Sequence, residues 1–166
     1  MSDNILTQER LKELLSYDPE TGVFVRIKTT SKKIKIGAVA GTLHPSGYRY
    51  IKINRKQFRE HRLAWLYITG EFPPNEIDHI NRIKNDNRFV NLRAATHSEN
   101  AHNQGINCVN TSGYKGVYYH KRDKQWRAKI KLNNVSTYLG SFLTPEEASG
   151  AYLAAQRIYH PSCPSL

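Results

Sequence analysis

Asp78-His79, Asn91 and Asn100 are the residues of this chain whose types and spacing could do chemistry. Asp78 offers a hard oxygen to a metal ion. The adjacent His79 offers an imidazole that can take a proton near neutral pH. Asn91 follows His79 by twelve residues and Asn100 follows Asn91 by nine, bringing a second oxygen donor in its carboxamide. These are the parts needed to hydrolyse a phosphodiester with one divalent ion: a base for the water and a cation for the charge on the departing oxygen. One carboxylate and one amide oxygen suffice for Mg2+, which keeps several waters and takes phosphate oxygens from its substrate. Neighbouring strand residues point to opposite faces. Asp78 and His79 therefore share a site only if the strand is distorted, or they approach it from two sides. Asn91 would fix the loop or the imidazole so that one ring nitrogen stays basic.

The elements that must position these groups lie within residues 61–104. Leu63, Ala64, Trp65, Leu66, Tyr67 and Ile68 predict a buried helix over 61–69, ended by Gly70 and Pro73-Pro74. A short strand is expected over 77–80 and a return strand over 92–95. Between them runs an Asn-rich loop in which Asn85, Asp86 and Asn87 suit turns. Thr96 and Glu99 have capping-box spacing, so a helix should start near Thr96 and place Asn100 and Asn103 on one face. His102 reads as a further ligand, a phosphate contact or a solvated residue. His61 reads as a packed or capping residue, and His97 as a polar residue at the helix start.

Upstream, residues 1–60 predict a helix over 5–15, a turn at Asp18-Pro19-Glu20-Thr21-Gly22 and a strand over 23–27. A basic loop over 28–35 follows, then strands over 37–43 and 48–53 around Pro45-Ser46-Gly47. Downstream, residues 105–111 read as a linker. Residues 112–166 predict strands over 114–119, 125–132 and 136–139, then a helix over 144–159. That helix has a strong start, Thr144-Pro145-Glu146-Glu147, and an apolar stripe of Ala148, Ala151, Tyr152, Ala155 and Ile158. Trp126, Ala128, Ile130 and Leu132 alternate with Arg127, Lys129 and Lys131. With period two, one face would pack on the helix and the other would offer three cations to a partner. The expected class is α+β.

Charge points to the partner. The chain of 166 residues carries 25 Lys and Arg against 14 Asp and Glu, a formal net charge of +11. The excess flanks the suspected reaction centre: twelve basic and six acidic residues in 1–60, five of each in 61–104, eight and three in 105–166. Two arms that grip a nucleic-acid backbone around a chemical module would have this pattern. The tract Arg26, Lys28, Lys32, Lys33 and Lys35 reads as a phosphate contact or a solvated loop. Two cysteines, Cys108 and Cys163, exclude a disulfide framework and a four-cysteine zinc site. No signal pattern opens the sequence and no apolar run approaches the roughly 20 residues of a membrane span. A cytoplasmic protein with no membrane partner is expected.

Residues 61–104 resemble the HNH endonucleases with the ββα-metal fold, in the variant of phage and intron-encoded homing enzymes. Asp78-His79, Asn91 and Asn100 carry the resemblance, with His61-Arg62-Leu63-Ala64-Trp65 and Asp86-Asn87-Arg88 as flanking text. It implies His79 as general base, Asp78 and Asn100 as metal ligands and Asn91 as the structural central residue. The third position is Asn100 and not His, which favours one Mg2+ or Mn2+ ion over zinc or nickel. Residues 112–160 resemble the ethylene-response-factor type of DNA-binding domain. The matching text is Tyr114-Lys115-Gly116-Val117, Trp126-Arg127-Ala128-Lys129-Ile130, Tyr138-Leu139-Gly140-Ser141-Phe142 and Thr144-Pro145-Glu146-Glu147-Ala148. This implies a three-stranded antiparallel sheet backed by one helix, with DNA contacts from Lys115, Tyr118, Arg122, Lys129, Lys131 and Tyr138. Arg127 joins them through the cationic face. Tyr118, Lys129 and Tyr138 depart from the residues usual in the plant domains, so base preference does not carry over. The expectation is a metal-dependent endonuclease acting on double-stranded DNA, with no obligatory protein partner. Its rivals are a non-catalytic DNA-binding regulator on the same scaffold and an RNA-binding or RNA-cleaving protein, for which ten Tyr would supply base stacking.

Overall fold

The structure is a computed structural model that describes residues 6–28, 34–103, 105–106, 109–132 and 135–160, without the side chains of His102 and Leu132. Residues 1–5, Lys32, Lys33, Cys108 and Cys163 lie outside the described residues. Packing divides the chain into two units, Met1–Thr96 and His97–Leu166. Among the described residues no helix is long and apolar enough to cross a membrane.

In the first unit, α1 (Gln8–Leu14) starts at Thr7, whose hydroxyl accepts the Arg10 amide. The predicted helix runs too long at its end. The chain leaves α1 at Leu15 and becomes β1 (Leu15–Asp18), paired antiparallel with β2 (Val23–Arg26). Alternation sends Leu15 and Tyr17 inward and leaves Ser16 and Asp18 outside. The connecting turn is held by Asp18, which accepts hydrogen bonds from the Glu20 amide and the Thr21 hydroxyl. Gly22 closes it with φ +73°.

A second sheet has the order β3 (Thr42–Leu43), β4 (Arg49–Ile53), β5 (Lys56–Arg59). The strand expected over 37–43 shrinks to β3 and a single Val25↔Val39 bridge, because Gly37 and Gly41 take positive φ and interrupt it. Strand β5 was not expected from the sequence. It follows a tight turn at Asn54 and Arg55, both at positive φ. Helix α2 (Glu60–Thr69) ends where predicted: Gly70 is left-handed and donates its amide to the Leu66 carbonyl. Then come β6 (Glu76–His79), a 3-10 turn at Phe89–Asn91 and β7 (Leu92–Ala95). Leu11, Leu15, Phe24, Ile51, Leu63 and Leu92 share one core. Burial of each such side chain contributes about 1.5–3 kcal/mol.

The second unit begins with α3 (His97–Asn103). A sheet of order β10 (Val135–Phe142), β9 (Gln125–Leu132), β8 (Val117–His120) is backed by α4 (Pro145–Tyr159). The predicted capping box is present: Thr144 accepts from the Glu147 amide and the Glu147 carboxylate accepts from the Thr144 amide. Ala148, Tyr152, Ala155 and Gln156 are the buried stripe. Ile158 was expected in that stripe but is 72% exposed. At 3.6 residues per turn it falls about 100° from the centre of the stripe. Strand β8 starts at Val117 and not at 114, because Gly113 and Gly116 take positive φ before it. Strand β10 extends past Leu139 by means of a bulge between Tyr138 and Gly140.

Candidate active site and nucleic-acid interface

The β6–β7 hairpin presents Asp78 and His79 in regular register, Asp78 opposite Arg93 and His79 opposite Leu92. No distortion reconciles the two side chains, so alternation puts them on opposite faces. Asp78 is 5% exposed and His79 is 4% exposed. The Arg93 guanidinium donates twice to Asp78 Oδ2, from Nε at 2.9 Å and Nη2 at 2.6 Å. On its own side, the His79 ring meets the His61 ring edge-on at 5.0 Å and the Tyr48 ring at 6.0 Å. Its Nε2 lies 3.3 Å from Asn87 Oδ1. Burial pushes the His79 pKa below its usual value, against the Asn87 hydrogen bond and the nearby charges of Asp78 and Asp86. Burial also pushes His61 down, to about 3, helped by the charge of His79. Burial thus favours the neutral form of both rings. His61 is a packed residue of α2, in line with its sequence reading.

Asn91 works on the loop. Its Oδ1 accepts the Asn81 amide at 3.0 Å, and its Nδ2 donates to the Asp86 carbonyl at 2.8 Å. Its carbonyl also accepts the Ile80 amide. Asp86 in turn takes two hydrogen bonds from the Arg88 guanidinium, one from the Arg88 amide and one from Asn81 Nδ2, and the guanidinium bonds lead in holding its pKa at about 2. A residue that reaches the His79 ring is Asn87, which the sequence marked only as a turn former. Its spacing carried no signal for that role. Arg59 and Lys84 both lie over the Tyr48 ring, at 4.9 and 5.1 Å. Two cations beside a ring that packs on His79 make a setting that suits a phosphate.

Asn100 lies on α3, in the second unit. Among the described residues no group of three or more His, Cys, Asp or Glu side chains could hold a metal ion. An Asp with an Asn is a different donor set. Both supply hard oxygens, which fit Mg2+ or Mn2+ and poorly fit soft ions.

In the second unit, pairing gathers five of the seven residues expected to touch DNA. Tyr118 stands opposite Arg127, and Tyr138 opposite Lys129, with Lys131 two residues further along β9. They share the face turned away from Ala128 and Ile130, which are buried under α4. Lys129 Nζ sits 5.0 Å from the centre of the Tyr118 ring, and the Arg127 guanidinium 5.9 Å from that of Tyr138. Arg127 is also ion-paired with Asp123. Lys115 precedes β8 and Arg122 lies in the β8–β9 turn, so these two are off the strands.

Residues 59–102 match the family model of HNH endonuclease. The chain is also 35% identical, over 80 residues, to Protein 3.8 of Escherichia phage T7. The match covers 45% of this chain and 66% of that protein, so the chain spans just under two thirds of that relative's length. No solved structure matches the chain. Residues 59–102 are therefore an HNH-type nuclease domain, related to a phage protein, whose β6–β7 hairpin carries Asp78 and His79.

Proposed function

We propose that the chain is a metal-dependent DNA endonuclease of the homing type, with His79 as general base. The observation that best supports this is the setting of the His79 ring: buried, tethered to Asn87 and inside a segment that matches HNH endonucleases, with burial favouring its neutral form. A neutral imidazole accepts the proton of an attacking water, and a positioned base of this kind accounts for about 10²–10⁴ in rate. Asn91 ties the loop that carries Asn87, and so keeps the ring's surroundings in place. Arg59 and Lys84 attract the phosphate backbone. The reading takes Asp78 and Asn100 as ligands of one divalent ion, Mg2+ or Mn2+, which when bound would take up charge on the departing 3′ oxygen. The products are a 5′-phosphate and a 3′-hydroxyl.

The second unit is the grip on duplex DNA, read as the ethylene-response-factor type. Lys115, Tyr118, Arg122, Arg127, Lys129, Lys131 and Tyr138 are its contacts. Six net positive charges between residues 111 and 141, with three cations on one strand face, support this reading. A small antiparallel sheet fits the major groove, where Arg and Lys reach guanine edges.

Supercoiled plasmid decides the matter. With Mg2+ the wild type nicks or linearises it, and EDTA stops the cutting. His79→Ala binds DNA and does not cut. A His79→Ala protein that cuts like wild type removes His79 as the base. A wild type that binds tightly and leaves the plasmid whole is a non-catalytic DNA-binding protein.

A further inference from the structure

Asn87 is held in place more firmly than a turn residue requires. It is 2% exposed. Its carbonyl accepts the Tyr17 hydroxyl at 2.6 Å, across 70 residues of sequence. The next peptide is pinned as well: Phe89 donates its amide to the Pro19 carbonyl at 3.0 Å. Gly22 lies so close that an added Cβ would stand 2.5 Å from the Asn87 carbonyl carbon and the Arg88 nitrogen. Three points of the β1–β2 hairpin, Tyr17, Pro19 and Gly22, thus fix the backbone on which the Asn87 side chain is mounted. That side chain aims its oxygen at His79 Nε2. Its nitrogen, Nδ2, is buried and makes no hydrogen bond to the described residues. The oxygen is the working end of the amide.

From this we infer that Asn87 is a positioning residue for the base, anchored by Tyr17. An amide oxygen only accepts, so it selects the neutral tautomer of His79 with its hydrogen on Nε2. The lone pair of that tautomer is on Nδ1, and the Asn87 contact fixes which edge of the ring carries it. The hairpin upstream of the family-matched segment thereby sets the orientation of the ring inside it. The inference rests on the nuclease reading for its consequence in catalysis. The tautomer and its anchor stand on the geometry alone.

The test combines a spectrum with kinetics on the full chain. Nitrogen-15 spectra of the His79 ring, taken above its titration range, report which nitrogen carries hydrogen. Wild type shows hydrogen on Nε2, and hydrogen on Nδ1 overturns the inference. Asn87→Asp retains the accepting oxygen and breaks no bond at Nδ2. Asn87→Leu retains size and removes the acceptor. With plasmid and Mg2+, Asn87→Leu loses at least about tenfold in kcat with KM for DNA unchanged, and Asn87→Asp recovers most of that loss. Equal losses in the two variants, or no loss in Asn87→Leu, overturn the inference. Tyr17→Phe, which deletes one hydroxyl, lowers kcat about threefold or more, while Tyr67→Phe in the same aromatic cluster leaves it unchanged. If Asn87→Leu does not fold, the ring spectrum and the Tyr17→Phe against Tyr67→Phe pair decide. If wild type cuts no DNA, the nuclease reading fails, and the ring spectrum still judges the tautomer.

Discussion

Arg93 and Asp78 face one another across the β6–β7 hairpin, and two guanidinium bonds converge on one carboxylate oxygen. The Asp78 side chain is 6% exposed and that of Arg93 22%. Removing the Arg93 guanidinium takes two charge-assisted hydrogen bonds from a buried carboxylate. Arg93→Ala should therefore cost about 3 kcal/mol in urea unfolding. A divalent ion on Asp78 would restore the missing positive charge. Mg2+ should then raise the melting temperature of Arg93→Ala more than that of wild type. Equal shifts in the two proteins would count against Asp78 as a ligand.

His61 makes stability depend on pH in a definite direction. Its pKa is about 3 in the folded chain and near 6.5 when unfolded. The unfolded state thus binds the extra proton first. Stability is complete above pH 6.5 and falls as pH drops toward 3, by up to about 1.4 kcal/mol per pH unit. His79 is also lowered and adds a contribution of the same sign. Urea midpoints measured between pH 6.5 and 4.5 should fall less steeply in His61→Phe than in wild type. Identical slopes would show that His61 titrates normally in the fold.

Gly22 is the narrowest point of the upstream hairpin. Gly22→Ala faces both a left-handed backbone and a collision with the backbone of Asn87 and Arg88. The expected loss is about 3 kcal/mol, read as a lower thermal midpoint. Gly37→Ala is the matched control, since Gly37 also has positive φ but meets nothing within 4 Å. It should lose only the backbone share, about 1 kcal/mol.

The cationic face of the second unit can be read through salt. If Lys129 and Lys131 meet phosphates, each replacement by Ala should flatten the plot of log affinity against log salt by about 0.9. Arg127→Ala should flatten it less, because Asp123 already offsets part of the Arg127 charge. Fluorescence anisotropy on a short duplex at several salt concentrations measures all three. Unchanged slopes would move the grip elsewhere.

Helices α2 and α4 and the β6–β7 hairpin were legible in the sequence because their signals are local. Gly70 stops one helix, Thr144 and Glu147 start another, and apolar spacing fills in the rest. The missed elements depend on partners. Residues 14 and 15 continue an apolar helical pattern, yet Leu15 pairs with Arg26 and the chain turns to strand. Strand β5 is polar, and the turn before it uses Asn54 and Arg55 where Asn-Gly would have announced a hairpin. In the site, Asp78 and His79 stood out by type and spacing. Arg93 did not, since its role depends on strand register. Asn87 did not either, because its burial is produced by Tyr17 and Gly22, far upstream.

The shared core of the first unit limits how the family-matched segment can travel. Leu63 and Leu92 are covered by Leu11, Leu15, Phe24 and Ile51, all of which precede residue 59 or lie outside the family match. A transplant of 59–102 into another protein would arrive with its greasy side bare and its imidazole unsteadied. A working graft would have to bring along the upstream hairpin and sheet, so recombination that preserves function should break the gene before them and not at the border of the family match.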